Sequence, residues 1–299
     1  MCMPREFQES FLSISSIRHF HTLTKPTISL LVVISALPGF LLPQSSLPDM
    51  WLLIVMVCGV YLCSASAAVF NQVLEWKIDS TMSRTARRSL PAGHMPRWQA
   101  SLFAWLLGIG GLVVLWFYVS PLSALIGLIG HVYYVIFYTL ILKKRTEMNI
   151  VIGGVAGAVG PLMGAAAAGS IWSFEAWLLF ILIVLWTPPH FWSLSLKYQK
   201  DYARAGIPMY PVVYGESATR RMIFLYSLSL LPVVALLWVS GLLWASFFSC
   251  LLTLYFVYLG WKLYKDNNNK GAMRLFHFSC IYALLVFVLM ATEKWWVLV

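Results

Sequence analysis

Three oxygen-bearing side chains fall at four-residue steps in the stretch Asn71-Gln-Val-Leu-Glu75-Trp-Lys-Ile-Asp79. A helix turns once every 3.6 residues, so the spacing predicts Asn71, Glu75 and Asp79 stacked on one helix face. Two carboxylates one turn apart repel, at a cost of about 0.2–0.5 kcal/mol, and no basic residue stands at those same positions to relieve them. A hard divalent cation between them removes the repulsion. Mg²⁺ is the expected ion, because it binds through one or two carboxylates together with substrate phosphates. Arg84, Arg87 and Arg88 follow closely. Guanidinium forks match phosphate oxygens in paired hydrogen bonds, which points to a diphosphate. An ordinary solvated charge cluster at a membrane surface is the plain alternative.

A second polar cluster opens with Trp186-Thr-Pro-Pro-His190-Phe-Trp192 and runs through Lys197, Lys200, Asp201 and Arg204 to Gly206-Ile-Pro208-Met. Pro188 and Pro189 lack backbone donors, which predicts a kink in the helix that holds them. Lys197 and Asp201 lie four residues apart and form either a helical ion pair or a second phosphate and metal position. A third group, Lys143-Lys144-Arg145, fits diphosphate binding and simple membrane flanking equally well. The glycine- and alanine-rich run from Gly153 to Gly169 predicts close helix packing. His131, His190 and His277 are polar groups in apolar surroundings, either interior hydrogen-bonded side chains or functional ones.

These residues need elements to hold them. The chain is 60% hydrophobic and 11% charged, with a mean hydropathy of +0.78, which excludes a soluble domain. Uncharged runs of about 20 residues predict nine spanning helices. They cover approximately 27–43, 51–70, 99–118, 122–142, 148–170, 174–196, 220–239, 241–263 and 273–292. Because the runs are continuously apolar rather than alternating, a β-barrel is excluded and the fold class is all-α, a polytopic membrane protein. The expected division is an N-terminal segment 1–26, a membrane domain 27–292 and a short tail 293–299.

Of the 21 Lys and Arg residues, all but Lys294 lie in the N-terminal segment, in the loops after spans 2, 4, 6 and 8, or at the span ends that border those loops. Positive-inside bias then predicts a cytoplasmic N-terminus and a C-terminus on the opposite side. Cys2, Cys58, Cys63, Cys250 and Cys280 show no CxxC spacing, so no disulfide framework, zinc site or covalent haem attachment is expected. The first 26 residues lack a cleavable-signal pattern, and the first span is expected to act as the membrane signal.

The stretch from Asn71 to Asp79 resembles the aspartate-rich motif of the UbiA-type intramembrane prenyltransferases, in the form of their haem O branch. Met82-x-Arg84-Thr85-x-x-Arg88-x-Leu90-Pro91, Tyr138-Thr139, Leu142-Lys143-Lys144-Arg145-Thr146 and Asn149-Ile-Val-Ile-Gly153-Gly154 extend the likeness. Trp186-Thr-Pro-Pro-His190-Phe-Trp192, Asp201-Tyr202 and Ala205-Gly206-Ile-Pro208-Met209 complete it, over roughly residues 20–292. Ser89 and Gly160 depart from the branch, which usually has proline at both places.

The resemblance implies nine helices around a central cavity whose cytoplasmic mouth is capped by the loops 71–98 and 197–219. It implies transfer of the farnesyl group of farnesyl diphosphate to the 2-vinyl group of haem b, with addition of water, to make haem o. Under it Glu75 and Asp79 hold Mg²⁺, Asn71 is a neutral ligand or orients the carboxylates, and Asp201 holds a second Mg²⁺ or positions Lys197. Arg84, Arg88, Lys143, Arg145 and Lys197 surround the diphosphate, and His190 is the candidate to meet the haem. The expected setting is a bacterial inner membrane, with a terminal oxidase assembly or a haem A synthase as candidate partners and no nucleic acid. Transfer to another aromatic or lipid acceptor is the alternative within the superfamily. A transporter would place its polar groups near mid-bilayer; here they cluster at one face.

Overall fold

The computed structural model describes residues 14–299, with side chains from residue 17, and every regular element among the described residues is helical. The helices are α1 (Ile14–Leu23), α2 (Pro26–Leu41), α3 (Met50–Thr81), α4 (Arg97–Tyr118), α5 (Pro121–Arg145) and α6 (Asn149–Ala167). There follow α7 (Phe174–Lys197), a short α8 (Gln199–Arg204), α9 (Tyr210–Ser240), α10 (Leu243–Lys265) and α11 (Ala272–Leu298). Eight of these are each long and apolar enough to cross a membrane, and α1 with α2 forms a bent pair, at 49°, that supplies a ninth candidate span. The expected all-α membrane architecture is therefore observed. The expected N-terminal segment is partly described: α1 lies within it, whereas Cys2 lies outside the described residues.

Helix starts follow local chemistry. The Asp49 side chain accepts from Trp51 N at the start of α3, and the Ser173 hydroxyl accepts from Ala176 N at the start of α7. Pro121 stands at the beginning of α5, where its missing N–H leaves no intrahelical bond unmade. From α2 onward each long helix packs on the next along the chain, and α11 returns to α2, closing a ring. Small residues set the closest approach, between α2 and α6. A Cβ built on Gly164 would run into the Ala36 carbonyl oxygen, and one built on Gly160 would meet Ser35 Oγ, so the departure at Gly160 serves this contact.

Several boundaries differ from the sequence expectation. Helix α3 continues through Thr81, beyond the predicted span end at residue 70, and carries Asn71, Glu75 and Asp79 on its helical face as their spacing implies. Pro188 and Pro189, the residues expected to kink their helix, lie inside α7, which is helical from Phe174 through Lys197. The Thr187 hydroxyl donates back to Ile183 O and the Ser193 hydroxyl to Pro189 O, side-chain bonds within the same helix on either side of the prolines. Helix α9 starts ten residues before the predicted span and is interrupted at Gly215, whose φ of 81° is left-handed. The tail 293–299 is mostly the end of α11, where Glu293 accepts from Trp244 N and Ala245 N at the start of α10.

Gly164→Ala is expected to cost about 1–3 kcal/mol by overpacking against α2. Gly110→Ala, at a position whose added Cβ would meet nothing within 4 Å, is expected to be near neutral. Thermal unfolding in detergent distinguishes the two; equal midpoints would refute the close α2–α6 contact.

Candidate active site at the basic end of the bundle

Asn71, Glu75 and Asp79 share one face of α3, as their spacing requires, and all are buried, at 4%, 3% and 4% exposure. The positive charge they need comes from other elements. Lys143 Nζ donates to Glu75 Oε2 at 2.6 Å from the end of α5. Arg88 Nη1 donates to Asp79 Oδ2 at 2.7 Å from the loop after α3. Lys25 Nζ, from the junction of α1 and α2, donates to Asn71 Oδ1 at 2.9 Å. No basic residue on α3 shares the face of these carboxylates; the partners come from tertiary neighbours, which spacing along one helix does not register.

The chain reaches this arrangement through an unusual turn. Residues Tyr133–Leu142 of α5 are π-helical, a wider winding that is rare and concentrated at functional sites. The Thr139 hydroxyl donates to Tyr134 O and accepts from Asn71 Nδ2 at 3.3 Å, while Lys143 reaches Glu75 one turn further on. Tyr138 stacks on Tyr134 and fills the space beside Gly153, where a Cβ would collide with its ring.

Hydrogen-bond roles in the cluster are fixed by chemistry. Lysine only donates and an ionised carboxylate only accepts, so Asn71 must turn Oδ1 to Lys25 and Nδ2 to Glu75 Oε2, 2.9 Å away. Asn71 thus orients a carboxylate, and its own oxygen is engaged by an ammonium. Glu75 Oε2 takes two donors, whereas Oε1 is buried and has no partner. Buried acceptors are almost always satisfied, so an open carboxylate oxygen marks a place for a cation or a donor. The donor set therefore fits Mg²⁺ held by one or two carboxylates and substrate phosphates. It does not form a cage by itself: among the described residues no three His, Cys, Asp or Glu side chains gather closely enough to hold a metal ion.

Asp201, expected at a second metal position, accepts from Ser83 N at 3.1 Å and from Ser83 Oγ, and lies 3.8 Å from Arg204 Nη1. It ties the two polar loops together. Lys197 is exposed at the end of α7 and makes no ion pair with Asp201, so that expectation is corrected; the chain turns from α7 into α8 between them. Arg84 is exposed and lies over the Tyr198 ring at 5.9 Å, and Arg145 is exposed at the rim. Asn149 Nδ2 donates to Thr146 O and to Pro208 O, joining the start of α6 to the loop before α9. On the same rim the Tyr214 hydroxyl donates to Glu147 Oε1. That bond, after the backbone N–H of Glu147 itself, holds the carboxyl below its usual range. Ser89, the first departure from the resemblance, meets His19 Nδ1 at 3.0 Å and anchors α1 on the loop.

His190 stands apart from the acid cluster's hydrogen bonds. Its ring stacks between Trp186 and Phe276, with centroids at 4.4 and 4.7 Å, and its Nδ1 lies 2.6 Å from Ser279 Oγ. Because that hydroxyl spends its single proton on Phe276 O, His190 Nδ1 must donate, which leaves Nε2 with a lone pair. The cluster thus brings together Asn71, Glu75, Asp79, Arg88 and Lys143, sets Asp201 and Arg84 beside it on the loops, and leaves Lys197, Arg145 and His190 outside it. Lys25 and Thr139 were missed by the sequence reading. The only sequence signal for Lys25 is a lone cation immediately before Pro26, indistinguishable there from a membrane-flanking charge.

A ring of spanning helices with buried carboxylates and converging cations at one end defines an intramembrane protein built to receive an anionic substrate. The chain belongs to the UbiA prenyltransferase family, whose sequence model matches residues 32–297. It is 40% identical over 282 residues to the Protoheme IX farnesyltransferase of Bordetella petrii, covering 93% of this chain and 95% of that one. Among solved structures it shares its fold with a digeranylgeranylglyceryl phosphate synthase (TM-score 0.74, 18% identity, 93% of this chain and 98% of that one). A UbiA homologue from Archaeoglobus fulgidus bound to DMAPP and Mg²⁺ gives a TM-score of 0.70 at 11% identity, over 91% and 98% of the two chains.

The Glu75–Lys143 contact predicts a coupled pair. In a double-mutant cycle, Glu75→Gln and Lys143→Met are expected to be non-additive in unfolding free energy by about 0.5–3 kcal/mol. Simple additivity would show that the two side chains do not depend on one another.

Proposed function

We propose that this chain transfers the farnesyl group of farnesyl diphosphate to the 2-vinyl group of haem b, with addition of water, producing haem o. The observation that carries the reading is the buried Glu75 with one open oxygen, beside Asp79 and flanked by Lys143 and Arg88. The acceptor is assigned from the likeness to relatives that bear the name Protoheme IX farnesyltransferase.

The chemistry needs no side-chain nucleophile. The allylic C–O bond breaks and its electron pair leaves with the diphosphate. The vinyl π pair forms the new C–C bond, and water captures the resulting cation and loses a proton. Glu75 and Asp79 would hold Mg²⁺, which when bound acts as a Lewis acid and template for the departing diphosphate. Lys143 and Arg88 neutralise these carboxylates within the chain and stand ready to donate to diphosphate oxygens when a cation takes their place. Arg84, on the loop that Asp201 holds through Ser83, would supply a further guanidinium to the diphosphate. His190, held by Ser279 through Nδ1, offers its Nε2 lone pair to the haem iron.

Both substrates suit this setting, since the prenyl chain and porphyrin are largely apolar while diphosphate and propionates prefer a basic, wet mouth. The basic end lies in the cytoplasm of a bacterial inner membrane, the C-terminus lies across it, and the product passes to a haem A synthase or terminal oxidase assembly.

Purified protein incubated with haem b, farnesyl diphosphate and Mg²⁺ is expected to yield farnesylated, hydrated haem by mass spectrometry, and chelation of the metal is expected to stop it. No product beside an active relative would overturn the acceptor assignment. Glu75→Ala and Asp79→Ala are each expected to lower turnover by at least about a hundredfold, the scale of losing a charge-stabilising group. Full activity in both would remove the metal site.

A further inference from the structure

Lys25 is built into the protein in a way that a flanking charge does not require. Its backbone is left-handed, with φ 45° and ψ 64°, a conformation that residues other than glycine adopt only where their surroundings impose it. Those surroundings are specific. Lys25 N donates to Thr22 O, Lys25 O accepts from Ile28 N and Ser29 N, and the Ser29 hydroxyl returns to Thr24 O. Pro26 sets the first turn of α2. Gln72 Nε2 donates to Leu23 O at 2.7 Å, pinning the junction to α3 one residue from Asn71. This frame turns the ammonium inward, onto Asn71 Oδ1.

The consequence is electrostatic. A primary amide has a donor end and an acceptor end, and Lys25 opposite Oδ1 joins Thr139 Oγ1 in favouring the orientation in which Nδ2 faces Glu75. Rotated by half a turn, Asn71 would set its oxygen against Glu75 Oε2 and its NH₂ against an ammonium, two repulsive contacts at once. With the amide fixed, Asn71 and Lys143 both bind Glu75 Oε2, and the carboxylate plane is set with Oε1 left open.

We propose that Lys25 is a positioning residue: by holding the Asn71 amide in one orientation it aims the free oxygen of Glu75 at the cation and diphosphate. The proposal rests on the reading that Glu75 takes part in binding a divalent metal. It is independent of which acceptor receives the prenyl group.

The test is a double-mutant cycle read by calorimetric binding of a non-hydrolysable farnesyl diphosphate analogue to the full chain across a Mg²⁺ titration. Lys25→Gly accepts the left-handed backbone without strain and deletes the side chain with its ammonium; thermal unfolding in detergent reports whether the junction stays folded. It is expected to raise the half-saturating Mg²⁺ concentration about tenfold, the scale of one hydrogen bond to a charged group. Asn71→Ala should give a similar rise, Lys25→Gly should add nothing in that background, and Lys25→Arg should recover most of the affinity. Equal, additive losses in the two backgrounds would mean that Lys25 touches the diphosphate directly, and unchanged binding in Lys25→Gly would deny it any role. Either result overturns the proposal. A wild-type chain that binds the analogue without dependence on Mg²⁺ removes the metal reading, and the proposal with it.

Discussion

Two carboxylates one helical turn apart, both withdrawn from water at the end of α3, need positive charge brought to them. A buried charge without a partner is far costlier than one engaged by a donor of opposite sign. The protein answers with a different element for each polar group: α5 brings Lys143 to Glu75, the loop after α3 brings Arg88 to Asp79, and the α1–α2 junction brings Lys25 to Asn71. The electrostatic requirement of one helix face thereby decides where three other segments must lie. It also leaves one oxygen of Glu75 over, and that remainder is where a substrate-borne cation can enter.

The rest of the bundle keeps these partners in reach. Glycines let α2 and α6 approach until backbone meets backbone, and the α11–α2 contact closes the ring. The π-helical stretch of α5 sets Thr139 and Lys143 against Asn71 and Glu75, pairing two polar steps on one helix with two on another. Contacts between Asp201 and Ser83, Asn149 and Pro208, and His19 and Ser89 fasten the segments at this end of the bundle. Donors and acceptors held in place before substrate arrives do not have to be reorganised during reaction, which is the source of most electrostatic stabilisation in enzymes.

Much of this was legible in the residues. The helices were readable because twenty apolar residues in a row have one stable way to cross lipid, with their backbone bonded to itself. The shared face of Asn71, Glu75 and Asp79 was readable because four-residue spacing has one meaning on a helix. The boundaries were less so: hydropathy falls at Asn71, yet α3 runs on to Thr81, since polar residues continue a helix wherever tertiary partners satisfy them. Lys197 and Asp201 share the same spacing and make no contact, because a helix ends between them.

The amino-acid sequence by itself determined the membrane class, the helical architecture and the face on which the acids stand, because these follow from local hydrophobicity and helical periodicity. Only the tertiary structure decided which cation meets which acid, that Asn71 turns its amide nitrogen to Glu75 and its oxygen to Lys25, and that one oxygen of Glu75 stays open. Those outcomes depend on distances between residues tens of positions apart, and such distances exist only once the ring has closed.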